Sequence, residues 1–89
     1  MIEVNQLKDE NKADFVFEVA IDDNHKYKVW FSEDYYQKLT QGKIGANELV
    51  KKSFEFLLER EPPSAILAEF ELKVISRYFP EYKKALSQT

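Results

Sequence analysis

The sequence predicts an α+β fold: an antiparallel β-hairpin or three-stranded meander, followed by four or five helices packed on one face of it. Three observations carry this expectation. Residues 15–31 alternate apolar and polar side chains on either side of a turn. The stretch between Gly45 and Pro62 repeats its apolar residues at helical spacing. The remainder consists of short helical patterns, each too short to stand alone in water, so they must pack on something.

Taken in order, Ile2 and Val4 begin a short alternation that suggests an edge strand, with a loop over residues 8–14. In "FVFEVAIDDNHKYKVWF", Phe15, Phe17, Val19 and Ile21 share one face, as do Tyr27, Val29 and Phe31 after the turn formers Asp22, Asp23 and Asn24. The opposite face then holds Glu18, Lys26, Lys28 and Trp30, with Val16 and Ala20.

"SEDYYQKLTQG" reads as a helix. Ser32 is its N-cap, Glu33 and Asp34 suit the positive end of its dipole, and Gly42 supplies the left-handed residue that ends it. In the next helix Gly45 takes the cap position. Ile44 and Leu49 form a hydrophobic staple, and Leu49, Val50, Phe54, Leu57 and Leu58 form the apolar face, widened by Phe56. Pro62 and Pro63 stop it.

"SAILAEF" and "ELKVISRYF" read as two further short helices, with Ser64 capping the first, and "PEYKKAL" as a last one opened by Pro80. These pieces have to bury Ile66, Leu67, Phe70, Val74, Ile75, Tyr78 and Phe79. The aromatic tail is therefore expected to be the lid of the core, with a partner surface as the alternative.

Composition bounds the function. The chain has 89 residues, so a single domain spanning 1–89 is expected. With 44% hydrophobic and 15% aromatic residues it is rich enough in apolar groups to fold. The absence of cysteine rules out disulfides, thiolate metal sites and thiol catalysis, and points to a reducing, cytoplasmic setting. No basic segment followed by an apolar run opens the sequence, so no secretory leader is expected. No stretch approaches the ~20 apolar residues of a membrane span. The net charge of −3 is spread along the chain and leaves no concentrated basic face for nucleic acid.

The residues that could carry chemistry do not assemble into a set. His25 is the one histidine, and beside Asp22, Asp23 and Asn24 it reads as a polar turn. Ser32, Ser53, Ser64, Ser76 and Ser87 lack a nucleophile-elbow context. Gly42 and Gly45 are too few for a phosphate cradle. Glu59 and Glu61 around Arg60 read as a solvated face. No catalytic, cofactor-binding or metal residue is expected, and no enzymatic activity. The residues expected to form a partner surface are Trp30, Lys26 and Lys28 on the outer hairpin face, tryptophan being a frequent binding anchor, and Tyr78 and Tyr82 in the tail.

"ELVKKSFEFLLERE", followed by "PPSAILAEFELKVISRYFPEY", resembles a group of small bacterial proteins. They share a hairpin, an L-V-x-x-S-F-x-F-L-L-E-R-E-P segment and an F-x-L-x-V-I-x-x-Y-F-P-E-Y ending. The likeness covers about residues 27–84. It implies a shared fold and a bacterial origin, and no activity.

"KYKVWFSEDYYQKL" followed by "NELVKKSFEFLLER" also resembles the strand–helix–helix order of ribbon-helix-helix DNA-binding antitoxins and repressors. That would place Lys26, Lys28 and Trp30 in the major groove on a β-ribbon shared between two copies. The short connection from Ser32 to Gly45, the competing strand at 14–22 and the negative net charge all count against it. The expected function is therefore a small intracellular protein-interaction or regulatory module. Its partner is expected to be another protein or a second copy of the chain, with no membrane; nucleic acid is the partner only in the alternative, ribbon-helix-helix reading.

Overall fold

The computed structural model describes residues 2–8 and 13–87. Three strands form first: β1 (Glu3–Leu7), β2 (Phe15–Asp22) and β3 (His25–Phe31). Helices α1 (Glu33–Thr40) and α2 (Ala46–Leu58) follow, then a 3-10 turn at Pro63–Ala65. The chain closes with a short strand β4 (Glu69–Glu71) and helices α3 (Val74–Tyr78) and α4 (Tyr82–Ser87). The loop expected over residues 8–14 lies partly outside the described residues.

The expected hairpin is present with the expected parity. β2 and β3 pair antiparallel with Phe15 opposite Phe31, Phe17 opposite Val29 and Val19 opposite Tyr27, and a bulge interrupts the register between Ala20 and Asp22. β1 adds antiparallel to β2, completing the meander. The sheet does not stop there. β4 pairs parallel to the far edge of β3, with Val29 opposite Phe70, so among the described residues the sheet is four-stranded and mixed in the order β1-β2-β3-β4.

β4 replaces the end of the first and the start of the second of the two short helices expected over residues 64–70 and 71–79. Glu69, Phe70 and Glu71 alternate outward, inward, outward, a period of two. In that extended form Phe70 reaches the ring of Phe54, with centroids 6.0 Å apart. The strand also satisfies the polar edge of β3: Lys28 N–H donates to Ala68 O at 2.8 Å and Leu72 N–H to Trp30 O at 2.9 Å. Ser64 lies within the 3-10 turn, whose N-cap is Pro62.

The helices cover the sheet face that carries Phe17, Val19, Tyr27, Val29 and Phe31. Ser32 caps α1 by accepting from Tyr35 N–H at 3.1 Å. Two consecutive residues of positive φ, Gln41 and Gly42, end that helix. Gly45 caps α2, and that helix buries Leu49, Val50, Ser53, Phe54, Phe56 and Leu57 against the sheet and the tail. The five residues expected at the centre of the core, Phe17, Val29, Phe54, Leu57 and Ile75, are all buried.

The tail is part of this core. Phe70, Leu72, Ile75, Tyr82 and Leu86 are buried in one cluster with α2 and the sheet. Phe56 of α2 takes the rings of Phe79 and Tyr82 edge-on, at 5.8 and 5.3 Å. The Arg60 guanidinium lies 3.7 Å over the Phe56 ring and its Nε donates to Glu81 Oε2 at 3.2 Å, tying the end of α2 to the start of α4.

Candidate interaction groove

The groove follows from how the chain turns after α2. Pro62 and Pro63 end the helix, and the Tyr27 hydroxyl donates to Pro63 O at 2.6 Å, pinning the turn to β3. The chain then runs extended into β4 and folds back as α3. Between the end of α2, the segment entering β4 and α3 lies an apolar groove of about 280 Å³. Its floor is Leu57, Ile66, Phe70, Val74, Ile75 and Phe79, and Leu67, Tyr78 and Glu61 stand at its margin. Leu67 and Tyr78, expected to be buried with the tail, are instead 54% and 70% exposed, because they stand at the margin of the groove and not under α2.

Of the residues expected to form a partner surface, Tyr78 lies at this groove. Tyr82 does not. It is completely buried, and its hydroxyl lies 2.6 Å from Ser53 Oγ, which is 2.7 Å from Leu49 O. The physical reason is the position of Tyr82 at the start of α4, where its ring fills the space beside Phe56. Burial raises its phenol pKa far above the ordinary range. Sequence reasoning had a partial signal for this: Ser53 sits in the apolar stripe of α2, and with its proton given to Leu49 O its oxygen stays a buried acceptor that a hydroxyl such as that of Tyr82 can use.

Lys26, Lys28 and Trp30 share the other face of the sheet, away from the groove. Trp30 is half-buried there in a row with Leu7, Val16 and Glu71, and Val16 is buried within that row. Lys26 is exposed and Lys28 half-buried, the latter in a row with Asn5, Glu18 and Glu69. A ribbon-helix-helix dimer would need β3 to pair with a second copy. Here β3 is hydrogen-bonded along both edges, to β2 and to β4.

At the hairpin turn, His25 Nδ1 lies 2.9 and 3.0 Å from the two Asp22 oxygens, and Asn24 N–H donates to Asp22 Oδ1 at 2.8 Å. The His25 contact, then the amide, holds the Asp22 carboxyl below its usual pKa. Among the described residues no group of three His, Asp or Glu side chains is placed to hold a metal ion. Nor is any described helix long and apolar enough to cross a membrane.

The Tyr35 hydroxyl is buried without a hydrogen-bond partner among the described residues. Burial raises its pKa; Ser76 stands near enough to oppose this in part, while donating its own proton to Lys73 O at 2.8 Å.

No protein-family model matches the chain, and no curated protein or solved structure matches it significantly. The resemblance to the small bacterial group thus rests on the quoted motifs alone.

Proposed function

We propose that this chain is a small protein-interaction module without catalytic activity, and that the groove between α2, β4 and α3 receives its partner. One observation carries the reading: Leu67 and Tyr78, 54% and 70% exposed, stand at the margin of the same apolar groove. Singly exposed apolar residues are ordinary. Two large ones flanking a concave apolar surface mark a place where another apolar surface gains by docking. The folded tail supports the reading, because it holds both side chains on a fixed frame and so lowers the entropy cost of association. A cytoplasmic location accords with the cysteine-free sequence.

The test uses two forms of the protein, unmodified and Leu67→Ser/Tyr78→Ser, immobilised equally and exposed to lysate of the source cell. A protein retained by the first and lost from the second, with identical thermal melts for both, is the expected result. Equal recovery of every protein by the two forms would refute the assignment of the groove.

A further inference from the structure

The groove carries both halves of a contact on one surface. Leu57, Ile66, Phe70 and Val74 belong to its concave apolar floor, and Leu67 and Tyr78 stand exposed beside it. Within one copy neither side chain covers that floor. Under a two-fold rotation each copy offers its exposed side chains to the other's groove, and every contact forms twice. The dimensions agree. A cavity of about 150 Å³ holds one benzene ring, so 280 Å³ admits the Tyr78 ring and a second side chain of the size of Leu67.

The charges repeat the pattern. Glu61 stands at the groove margin, just past the end of α2. Arg77 belongs to the other wall: it is exposed on α3, beside Tyr78 and three residues after Val74, which lines the groove. Among the described residues, neither Glu61 nor Arg77 is ion-paired within its own chain. A two-fold axis through the groove interchanges the two walls, which brings the acid of each copy to the base of the other. A different protein would have to carry this same set of projecting ring, groove, acid and base, whereas a second copy carries it by necessity.

We propose that the groove receives a second copy of this chain, in a two-fold pair in which Leu67 and Tyr78 of each copy enter the groove of the other and Arg77 of each meets the partner's Glu61. This rests on the interaction-module reading and names its partner. The protein recovered from lysate is then the chain itself. A standard interface takes about a tenth of a small protein's surface, which is about 570 Å² of the 5713 Å² of one copy, so the pair buries about 1,100 Å² in all. That lies at the low end for specific complexes, so the pair is reversible and forms at micromolar concentration and above.

The experiment is sedimentation equilibrium of the full chain from about 1 μM to about 1 mM, the range over which a micromolar pair forms. The unmodified chain should pass from one copy to two, and Leu67→Ser/Tyr78→Ser should stay single throughout. Glu61→Arg alone and Arg77→Glu alone each set like charges in both contacts, and each should weaken the pair about tenfold or more. Mixed in equal amounts, these two variants regain opposite charges in both contacts, so the mixture should pair about as tightly as the unmodified chain. Thermal melts at the dilute end, where every form is a single chain, should coincide, because association raises the midpoint only as concentration rises. A single chain at every concentration would overturn the proposal; capture of a protein of different sequence through Leu67 and Tyr78 would then leave the groove as a docking site. Pairing that survives the serine changes, a mixture no tighter than its separate variants, or growth beyond two copies would also overturn it. A single chain at every concentration, together with lysate recovery unaffected by Leu67→Ser/Tyr78→Ser, would remove both readings.

Discussion

Ser53 and Tyr82 share one buried hydrogen bond, yet replacing them should have unequal effects. Ser53 Oγ lies 2.7 Å from Leu49 O and 2.6 Å from the Tyr82 hydroxyl. A carbonyl can only accept, so the single serine proton goes to Leu49 and Tyr82 donates to Ser53. In Tyr82→Phe the serine keeps its bond to Leu49, and the cost is the net value of one hydrogen bond, about 0.5–1.5 kcal/mol. In Ser53→Ala the Tyr82 hydroxyl stays buried at 0% exposure with its acceptor gone. Stranding a buried donor in this way costs about 1–3 kcal/mol.

The double variant removes both polar groups, so it should fall short of the sum by about 1 kcal/mol. Urea unfolding of the four forms at a common m-value measures each difference. Tyr82→Phe costing as much as Ser53→Ala, or strict additivity, would refute the assigned direction of the bond. The same burial sets an alkaline limit. The folded pKa of Tyr82 is raised above the unfolded 10.0, so the contribution of the neutral phenol is complete below pH 10.0 and is lost as pH rises beyond it. Tyrosinate absorbance from Tyr82 should therefore appear only with unfolding.

Phe54→Ala should cost about 3–5 kcal/mol in denaturant melts, because the ring is inaccessible and packs on both Tyr27 and Phe70; a loss below about 1 kcal/mol would show that α2 faces otherwise. The Asp22 carboxylate should titrate below 3.8 by carbon-detected NMR and return toward that value in His25→Ala. Its folded pKa is the lower one, so its contribution to the turn is present above 3.8 and lost as pH falls through the folded value. An unchanged midpoint in the variant would dissociate the two side chains.

The hairpin and α2 were legible because each repeats one period over many residues. Eight residues in β2 and thirteen in α2 leave little choice of face. β4 was not legible, since three residues of alternation flanked by apolar groups fit a helix as well as a strand. What decided it was remote in sequence: the open edge of β3 and the ring of Phe54. The groove was hidden for the same reason, as it exists only where β4 and α3 turn away from each other. Tyr78 and Tyr82 look alike in the sequence and differ by four positions, but one lies at the end of α3 and the other at the start of α4. The intervening Phe79–Glu81 turn sends one ring to water and the other into the core.

The central claim is that the segment from β4 onward belongs to the core, and that docking uses Leu67 and Tyr78, the large apolar side chains left exposed among the described residues. Thermal melts of three chains test it most directly: the full chain, Leu67→Ser/Tyr78→Ser, and a chain ending at Ala68. The truncation removes Phe70, Leu72, Ile75, Tyr82 and Leu86 from the core. Each contributes about 1.5–3 kcal/mol when fully buried, offset by about 1–2 kcal/mol of backbone freedom per ordered residue. It also strips the parallel partner from β3. A small domain has about 5–15 kcal/mol in total. The double serine variant should melt cooperatively at the midpoint of the full chain, and the truncated chain should lose cooperative melting. A truncated chain that melts cooperatively at the full-length midpoint would contradict the account and make the tail a detachable arm.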